Sequence, residues 1–271
     1  MIGVIGNGVV GSNTARMLRE LAGQVVYCYD KFKDCNATLE DVLQCSIIFI
    51  CLPTPMHKDG SIDLSYIHEV IDKIPQDRTV VIRSTVTPGT CDVLTVMYGH
   101  EYIFCPEFLT EAHPWQDTLD TNRVVLGMYR YNAEVAQLFI DAFSSADIIH
   151  LQPNEAEAYK YVCNIMLASQ VAVSNELYFA LKTMGVEYGN LQPYLHYDHR
   201  LGTHTKVPGP DGDYGYGGKC FPKDMGAFVH QAKYMGYKPV VLDAVTALND
   251  RVRAVKDWYT IAGAVSEQGY E

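Results

Sequence analysis

Positive charge is scarce in this 271-residue sequence, where 21 Lys and Arg stand against 32 Asp and Glu for a net charge of −11. That balance argues against a general affinity for nucleic acid or anionic membrane, because phosphate binding needs clustered cations. Any anionic ligand must therefore meet a local positive pocket. Long apolar runs are also missing: no stretch of about 18 apolar residues is present to cross a bilayer. The N-terminus passes into a strand-like run without the basic start of a secretory signal. These absences predict a soluble, cytoplasmic protein. The eight cysteines contain no Cys-x-x-Cys pair and fall at irregular spacing, mostly inside apolar segments, which suggests reduced thiols. The nine histidines contain no His-x-x-x-His pair, so no metal is expected. Internal repeats and low-complexity tracts are absent.

With 48% hydrophobic residues, the chain can fill two modest cores. Up to about residue 150, short β-branched runs at 2–5, 24–29, 46–52, 79–83, 102–105, 123–127 and 147–151 alternate with helical patterns. Alternation of this kind predicts an α/β domain with a doubly wound parallel sheet. The texture changes after Pro153. From Asn154 to about residue 185 the chain has neither Pro nor Gly, which predicts one long helix with Asn154 as N-cap and Glu155 and Glu157 in its first turn. Helical patterns resume over 186–196, 223–236 and 240–259, around a Gly- and Pro-rich loop at 198–218. The expected division is an α/β domain over 1–152 and an all-helical domain over 153–271.

The sequence Gly6-Asn7-Gly8-Val9-Val10-Gly11 follows the first strand and opens a helix, the context that a dinucleotide-binding Gly-x-Gly-x-x-Gly turn requires. A pyrophosphate would then face the helix N-terminus. The second strand ends at Asp30, 19 residues beyond Gly11, where a carboxylate can bond the ribose hydroxyls and favour NAD over NADP. Lys31 and Lys33 weaken that preference, since nearby cations tolerate a 2′-phosphate.

Four further groupings carry chemistry. In Gly215-Tyr216-Gly217-Gly218-Lys219-Cys220-Phe221-Pro222-Lys223-Asp224, glycines allow close backbone approach and flanking lysines favour a thiolate, so Cys220 reads as a nucleophile ahead of a Pro-Lys-Asp turn. Lys160 and Asn164, at i and i+4, share a face of the long helix and offer a cation and an amide. Pro106-Glu107-Phe108-Leu109-Thr110-Glu111 places two carboxylates after a strand, at the sheet end where open α/β folds bind ligands. Pro53-Thr54 and Ser84-Thr85 follow strands in the same way. Taken singly, the lysine could be a solvated helical residue and each loop an ordinary connection.

Together these residues resemble the UDP-glucose/GDP-mannose dehydrogenase family of nucleotide-sugar oxidoreductases. The resemblance runs from Gly6 to about Val252 and rests on GNGVVG, Asp30, PTP at 53–55, STV at 84–86, PEFLTE at 106–111, EAYKYVCN at 157–164, HRLG at 199–202 and GPDGDYGYGGKCFPKD at 209–224. Lys223-Asp224 at the end of the last motif favours UDP-glucose over GDP-mannose or UDP-N-acetylhexosamines. The resemblance implies a Rossmann-type NAD-binding domain, then a helical domain like the middle domain of 6-phosphogluconate dehydrogenase. It also implies a two-step oxidation of UDP-glucose to UDP-glucuronate.

Under this resemblance Cys220 would attack the intermediate aldehyde, and a second hydride transfer would leave a thioester. Glu107 would serve as base for its hydrolysis, with Thr85 and Asp224 positioning water. Lys160 and Asn164 would stabilise the oxyanion. Gly6 to Gly11, Asp30, Pro53, Thr54, Ser84, Thr85, Glu111 and Lys223 would line the cofactor site. Glu107, Phe108, Leu109, Glu111, Lys160, Asn164, Gly215, Tyr216 and Gly217 would hold the sugar nucleotide. Arg200 would reach the substrate of a neighbouring subunit, in a homodimer formed through apolar positions Val162, Ile165, Met166, Ala168, Val171 and Val173. Family members continue into a third, uridine-diphosphate-binding domain, and this sequence ends at Glu271 before it. A short form is expected, with weak turnover unless a partner supplies that domain; a weakly active NAD-binding module is the competing expectation.

Overall fold

The computed structural model describes residues 1–110 and 112–266. The chain divides into two compact units, the first formed by residues 1–54 and 64–160 and the second by 55–63 and the residues from 161 onward.

The first unit alternates strand and helix: β1 (Ile2–Ile5), α1 (Val9–Glu20), β2 (Val26–Tyr29), α2 (Leu39–Leu43), β3 (Ile47–Ile50), α3 (Ser65–Ile71), β4 (Thr79–Ile82), α4 (Thr90–Tyr98), β5 (Tyr102–Phe104), α5 (Pro114–Leu119), β6 (Arg123–Gly127), α6 (Ala133–Ala142) and β7 (Asp147–Leu151). They build a seven-stranded sheet in the order β2-β1-β3-β4-β5-β6-β7. Every neighbouring pair is parallel except β5 and β6. The central strands β1 and β3 are buried along their whole length, because helices cover both faces of the sheet. One face packs Val4, Phe49, Val81 and Leu126 with Leu18 and Phe139. The other packs Ile5, Ile48, Ile82 and Phe104 with Ile67 and Leu94. The strand order reverses direction between β1 and β3, and at such a switch point doubly wound sheets bind their ligands.

The expected long helix is α7 (Pro153–Thr183), 31 residues in length. It begins at Pro153, two residues before the Glu155 start that an Asn154 N-cap implies, so Asn154 lies in its first turn and is not the N-cap. Proline has no N–H to satisfy and suits the first helical position. The Gln152 N–H donates to Glu155 Oε2 at 2.9 Å. Glu157 is fully buried in the first unit, and its carboxylate accepts the N–H groups of Gly89 at 2.6 Å and Cys91 at 2.8 Å, at the start of α4. It caps α4 from outside, where two otherwise orphan donors need an acceptor.

The second unit is helical. Its core sets Tyr161, Ile165, Ala168 and Ala172 of α7 against Tyr216, Met225, Ala227 and Val245. The remaining helices are α8 (Tyr188–Leu191), α9 (Cys220–Tyr234) and α10 (Val240–Val252). Three expectations change here. The helical pattern over 186–196 yields one turn of α-helix followed by the tighter 3₁₀ segment Gln192–Tyr197, with Pro193 in its first turn. The pattern over 240–259 stops at Val252, and a separate 3₁₀ turn forms at Asp257–Tyr259. Residues 222–224 form no turn, since α9 already begins at Cys220.

Burial raises the Glu157 carboxyl from its ordinary value of 4.5 to about 7. Because the folded value lies above the unfolded one, the protonated carboxyl favours the fold fully below pH 4.5 and that contribution is lost as pH rises through about 7. Unfolding free energy should therefore fall with pH more steeply in wild type than in Glu157→Gln, by up to about 1.4 kcal/mol per pH unit in this window. Equal slopes in chemical denaturation would place Glu157 in its ionised form throughout.

Candidate active site

The Gly6–Gly11 turn is tight by necessity. A Cβ on Gly11 would stand 1.8 Å from the Gly6 carbonyl oxygen, whereas a Cβ on Gly8 would meet nothing within 4 Å. Gly8 is the N-cap of α1 and no side chain caps that helix. The turn thus leaves open space in front of uncapped N–H groups, a cradle that suits a pyrophosphate. Asp30 stands beside it: Oδ2 accepts the Asn7 N–H at 2.7 Å and Oδ1 the Phe32 N–H at 2.9 Å. Each oxygen keeps a second lone pair for a ribose hydroxyl. The two neighbouring lysines are engaged elsewhere, Lys31 with Glu69 at 2.9 Å and Lys33 with the Asn7 carbonyl at 2.8 Å. These residues fit an adenine dinucleotide without a 2′-phosphate.

At the ends of β3 and β4, Thr54 Oγ1 donates to the Thr85 carbonyl at 2.7 Å and Ser84 Oγ to the Leu52 carbonyl at 2.7 Å. Those hydroxyls tie the two loops together, so what they offer a ligand is a fixed backbone. After β5, Glu107 and Lys160 form a buried pair: Lys160 Nζ lies 3.1 Å from Glu107 Oε1 and 2.6 Å from its carbonyl oxygen. Glu107 Oε2 accepts the Leu109 N–H at 2.7 Å. The Phe108 ring faces Lys160 Nζ at 5.3 Å. Glu111 lies outside the described residues.

In the second unit, Asp224 is buried at 1% exposure and takes two donors, Asn164 Nδ2 at 2.5 Å on Oδ2 and Lys223 Nζ at 2.6 Å on Oδ1. Lys223, expected at the cofactor, is thus drawn onto Asp224. Cys220 is the first residue of α9, half-buried, and precedes Asp224 by one helical turn, so both project from one face of α9.

The approach to Cys220 is shaped by residues that the sequence did not single out. Gly215 donates its N–H to Asn175 Oδ1 at 3.0 Å, and a Cβ there would stand 2.3 Å from Asn249 Oδ1. Asn249 Oδ1 accepts the Tyr216 N–H at 2.7 Å, and its Nδ2 donates to the Tyr216 carbonyl at 3.0 Å. Arg253, only 6% exposed, pairs with Asp211 at 2.7 Å and Asp257 at 3.3 Å. Gly215 and Gly217 make room for the protein's own Asn249 and Arg253, whereas the sequence suggested room for a ligand; a Cβ on Gly218 would meet nothing within 4 Å. Tyr216 is correspondingly buried in the helical core, and burial pushes its phenol up to about 12. Nothing in the local pattern around Asn249 announces this, because the bond spans 33 residues. Arg200 is exposed and chelated by Asp198 at 2.5 Å.

Residues 31–142 match the NAD-binding domain of the UDP-glucose/GDP-mannose dehydrogenase family, and residues 154–251 match its central domain. The chain belongs to that family. Among similar proteins, the UDP-glucose 6-dehydrogenase AglM of Haloferax volcanii is 28% identical over 92% of this chain and 69% of its own length. The UDP-glucose 6-dehydrogenase of Rickettsia bellii is 31% identical over 82% of this chain and 53% of its own. A UDP-glucose dehydrogenase from Pyrobaculum islandicum superposes with a TM-score of 0.80 at 25% identity, covering 92% of this chain and 68% of that structure. The chain spans about half the length of most of the curated relatives it matches. Among the described residues no helix is long and apolar enough to cross a membrane, and no cluster of three or more His, Cys, Asp or Glu could hold a metal.

Asn249→Ala removes both partners of the buried Tyr216 peptide group and should cost about 2–4 kcal/mol. Urea denaturation reads the loss; a change below about 1 kcal/mol would show that the loop is held by other contacts.

Proposed function

We propose that this family member is an NAD-dependent nucleotide-sugar 6-dehydrogenase that oxidises UDP-glucose to UDP-glucuronate. The observation that supports the reading most is the start of α9, where Cys220 stands one turn before an Asp224 that is buried and bonded to both Asn164 and Lys223. A packing cysteine has no need of such neighbours. NAD, when bound, accepts one hydride in each of two oxidations. The Gly6–Gly11 cradle and Asp30 hold it, and the backbone of the Thr54 and Thr85 loops flanks it.

The Cys220 thiolate adds to the C6 aldehyde produced by the first oxidation and forms a carbon–sulfur bond. The resulting thiohemiacetal oxyanion loses a hydride, which is two electrons and one proton, and becomes a thioester. Water then attacks the thioester carbonyl, the carbon–sulfur bond breaks, and the carboxylate leaves with the thiolate restored. In this reading Glu107 takes the proton of that water, and Lys160, buried against it, carries compensating charge. Asn164 and Lys160 offer donors to the oxyanion, preorganised because each is already fixed by a buried partner. Asp224 and Thr85 position the water. Phe108, Leu109 and the Gly215-Tyr216-Gly217 loop, held in shape by Asn175 and Asn249, would flank the sugar nucleotide. The Lys223-Asp224 pair favours UDP-glucose over GDP-mannose and UDP-N-acetylmannosamine.

The same reading includes a homodimer in which Arg200 serves the neighbouring subunit. Of the apolar positions proposed for the interface, Ile165 and Ala168 are buried in the chain's own core, while Val162, Met166 and Val173 are 52%, 67% and 53% exposed. With Leu177 at 50% exposure they form a stripe about 60° wide along α7 at 100° per residue. Light scattering should give twice the mass of one chain, and Met166→Glu should give a monomer. A wild-type monomer at micromolar concentration would exclude this dimer.

Purified protein offered UDP-glucose, GDP-mannose and UDP-N-acetylmannosamine should release two NADH per UDP-glucose. Cys220→Ser should bind NAD unchanged and lose uronate formation by at least about a hundredfold. Uronate production at the wild-type rate by the serine variant would remove Cys220 from the chemistry, and preference for another sugar would overturn the substrate assignment.

A further inference from the structure

The first unit contains a cavity of about 250 Å³ lined by Arg83 and Arg123, with apolar walls from Met17, Phe139 and Phe143. It shares Glu107, Phe108 and Leu109 with the candidate active site but none of the described residues proposed to hold NAD. The sheet topology explains why two arginines converge there. Arg83 directly follows β4, and Arg123 opens β6, which runs antiparallel to β5, so the start of β6 lies at the same sheet edge as the ends of β4 and β5.

Neither guanidinium has a counter-ion among the described residues. The Nε of each is buried without an acceptor. Arg83 Nη1 reaches only the Cys105 sulfur at 3.4 Å, and its guanidinium faces the Phe139 ring at 5.8 Å. Arg123 Nη1 reaches the Asn122 side-chain oxygen at 3.2 Å, with the Phe108 ring 4.4 Å from its guanidinium. The carboxylates in the lining are engaged by other donors. Glu107 is paired with Lys160; Asp117 Oδ2 accepts the Thr110 N–H at 2.7 Å and its hydroxyl at 2.5 Å; Asp120 accepts Gln116 Nε2 at 3.0 Å. Burial pushes the Cys105 thiol up, so the sulfur does not serve as the missing anion. A buried guanidinium N–H is costly unless it meets an acceptor, and here the Nε of each half-buried arginine does not. Aromatic faces supply only part of that compensation.

We propose that this cavity is a binding site for a small oxyanion held between Arg83 and Arg123, whose forked donors suit a phosphate or a short carboxylate. The apolar wall gives a short organic carboxylate a place for its carbon skeleton. Occupancy would brace the segment carrying Glu107 from behind, because Glu107, Phe108 and Leu109 form part of the cavity wall.

The test is calorimetric titration of the full chain with sodium phosphate and, separately, with sodium acetate, against chloride at matched ionic strength. Wild type should bind one of the two saturably, and whichever binds more tightly identifies the source of the oxyanion. Arg83→Gln and Arg123→Gln should each weaken that binding at least tenfold while keeping the wild-type circular dichroism spectrum. Should either variant fail to fold, Arg83→Lys and Arg123→Lys keep the charge without the fork and should still weaken it severalfold. No saturable binding of either anion, or binding undiminished in the variants, as by an anion held at the α1 N-terminus, would overturn the proposal.

Discussion

The buried carboxylate of Glu157 is the contact on which much of the first unit's working geometry depends. By accepting two N–H groups at the start of α4, it ties the segment after Ser84 and Thr85 to the first turns of α7. Lys160 follows it on the helix by three residues, close to one turn, and is thereby presented to Glu107. A helix cap in trans is an economical tie, since it satisfies donors that would otherwise need water and fixes an entry angle in the same bond. Any shift of this contact would be felt at once by the buried pair it positions.

Both units keep charge out of water in a similar manner. Lys160 and Glu107 face each other in the first unit, Lys223 and Asp224 in the second, and Arg253 is surrounded by aspartates behind the Gly215 loop. Such pairs add little net stability, because desolvation offsets most of the Coulomb attraction, yet breaking one leaves an uncompensated buried charge. Their contribution is orientation. Donors and carboxylates already fixed before a substrate arrives need little reorganisation when charge develops on it. The Arg83 and Arg123 cavity departs from this pattern, with two cations that have no counter-ion among the described residues.

The sheet was legible because its signals are local. β1, β6 and β7 begin and end where the β-branched runs do, and the other strands are shorter than their runs by one to three residues, since a run can continue past the last ladder bond. The helices of the second unit were less legible: Pro193 tightened one into a 3₁₀ segment, and the apolar pattern after Val252 belonged to packing of a separate turn. Of the glycines before Cys220, Gly215 accommodates Asn249, which also bonds Tyr216 from 33 residues away and has no signature of its own in the sequence.

By itself the sequence determined the alternation that makes the first unit a doubly wound sheet, the Gly6–Gly11 turn with Asp30 at its reach, and the i, i+4 spacing that aligns Lys160 with Asn164. Each follows from a backbone period or a steric limit that operates within a few residues. Only the tertiary structure decided which buried charges meet, that Glu157 caps α4, that Cys220 and Asp224 share one face of α9, that Asn249 and Arg253 hold the loop before the cysteine, and that Arg83 and Arg123 converge on one cavity without a counter-ion among the described residues. Apart from Cys220 and Asp224, most of those pairings join residues far apart in the chain. They are set by strand order and helix packing, which the local pattern of side chains does not encode.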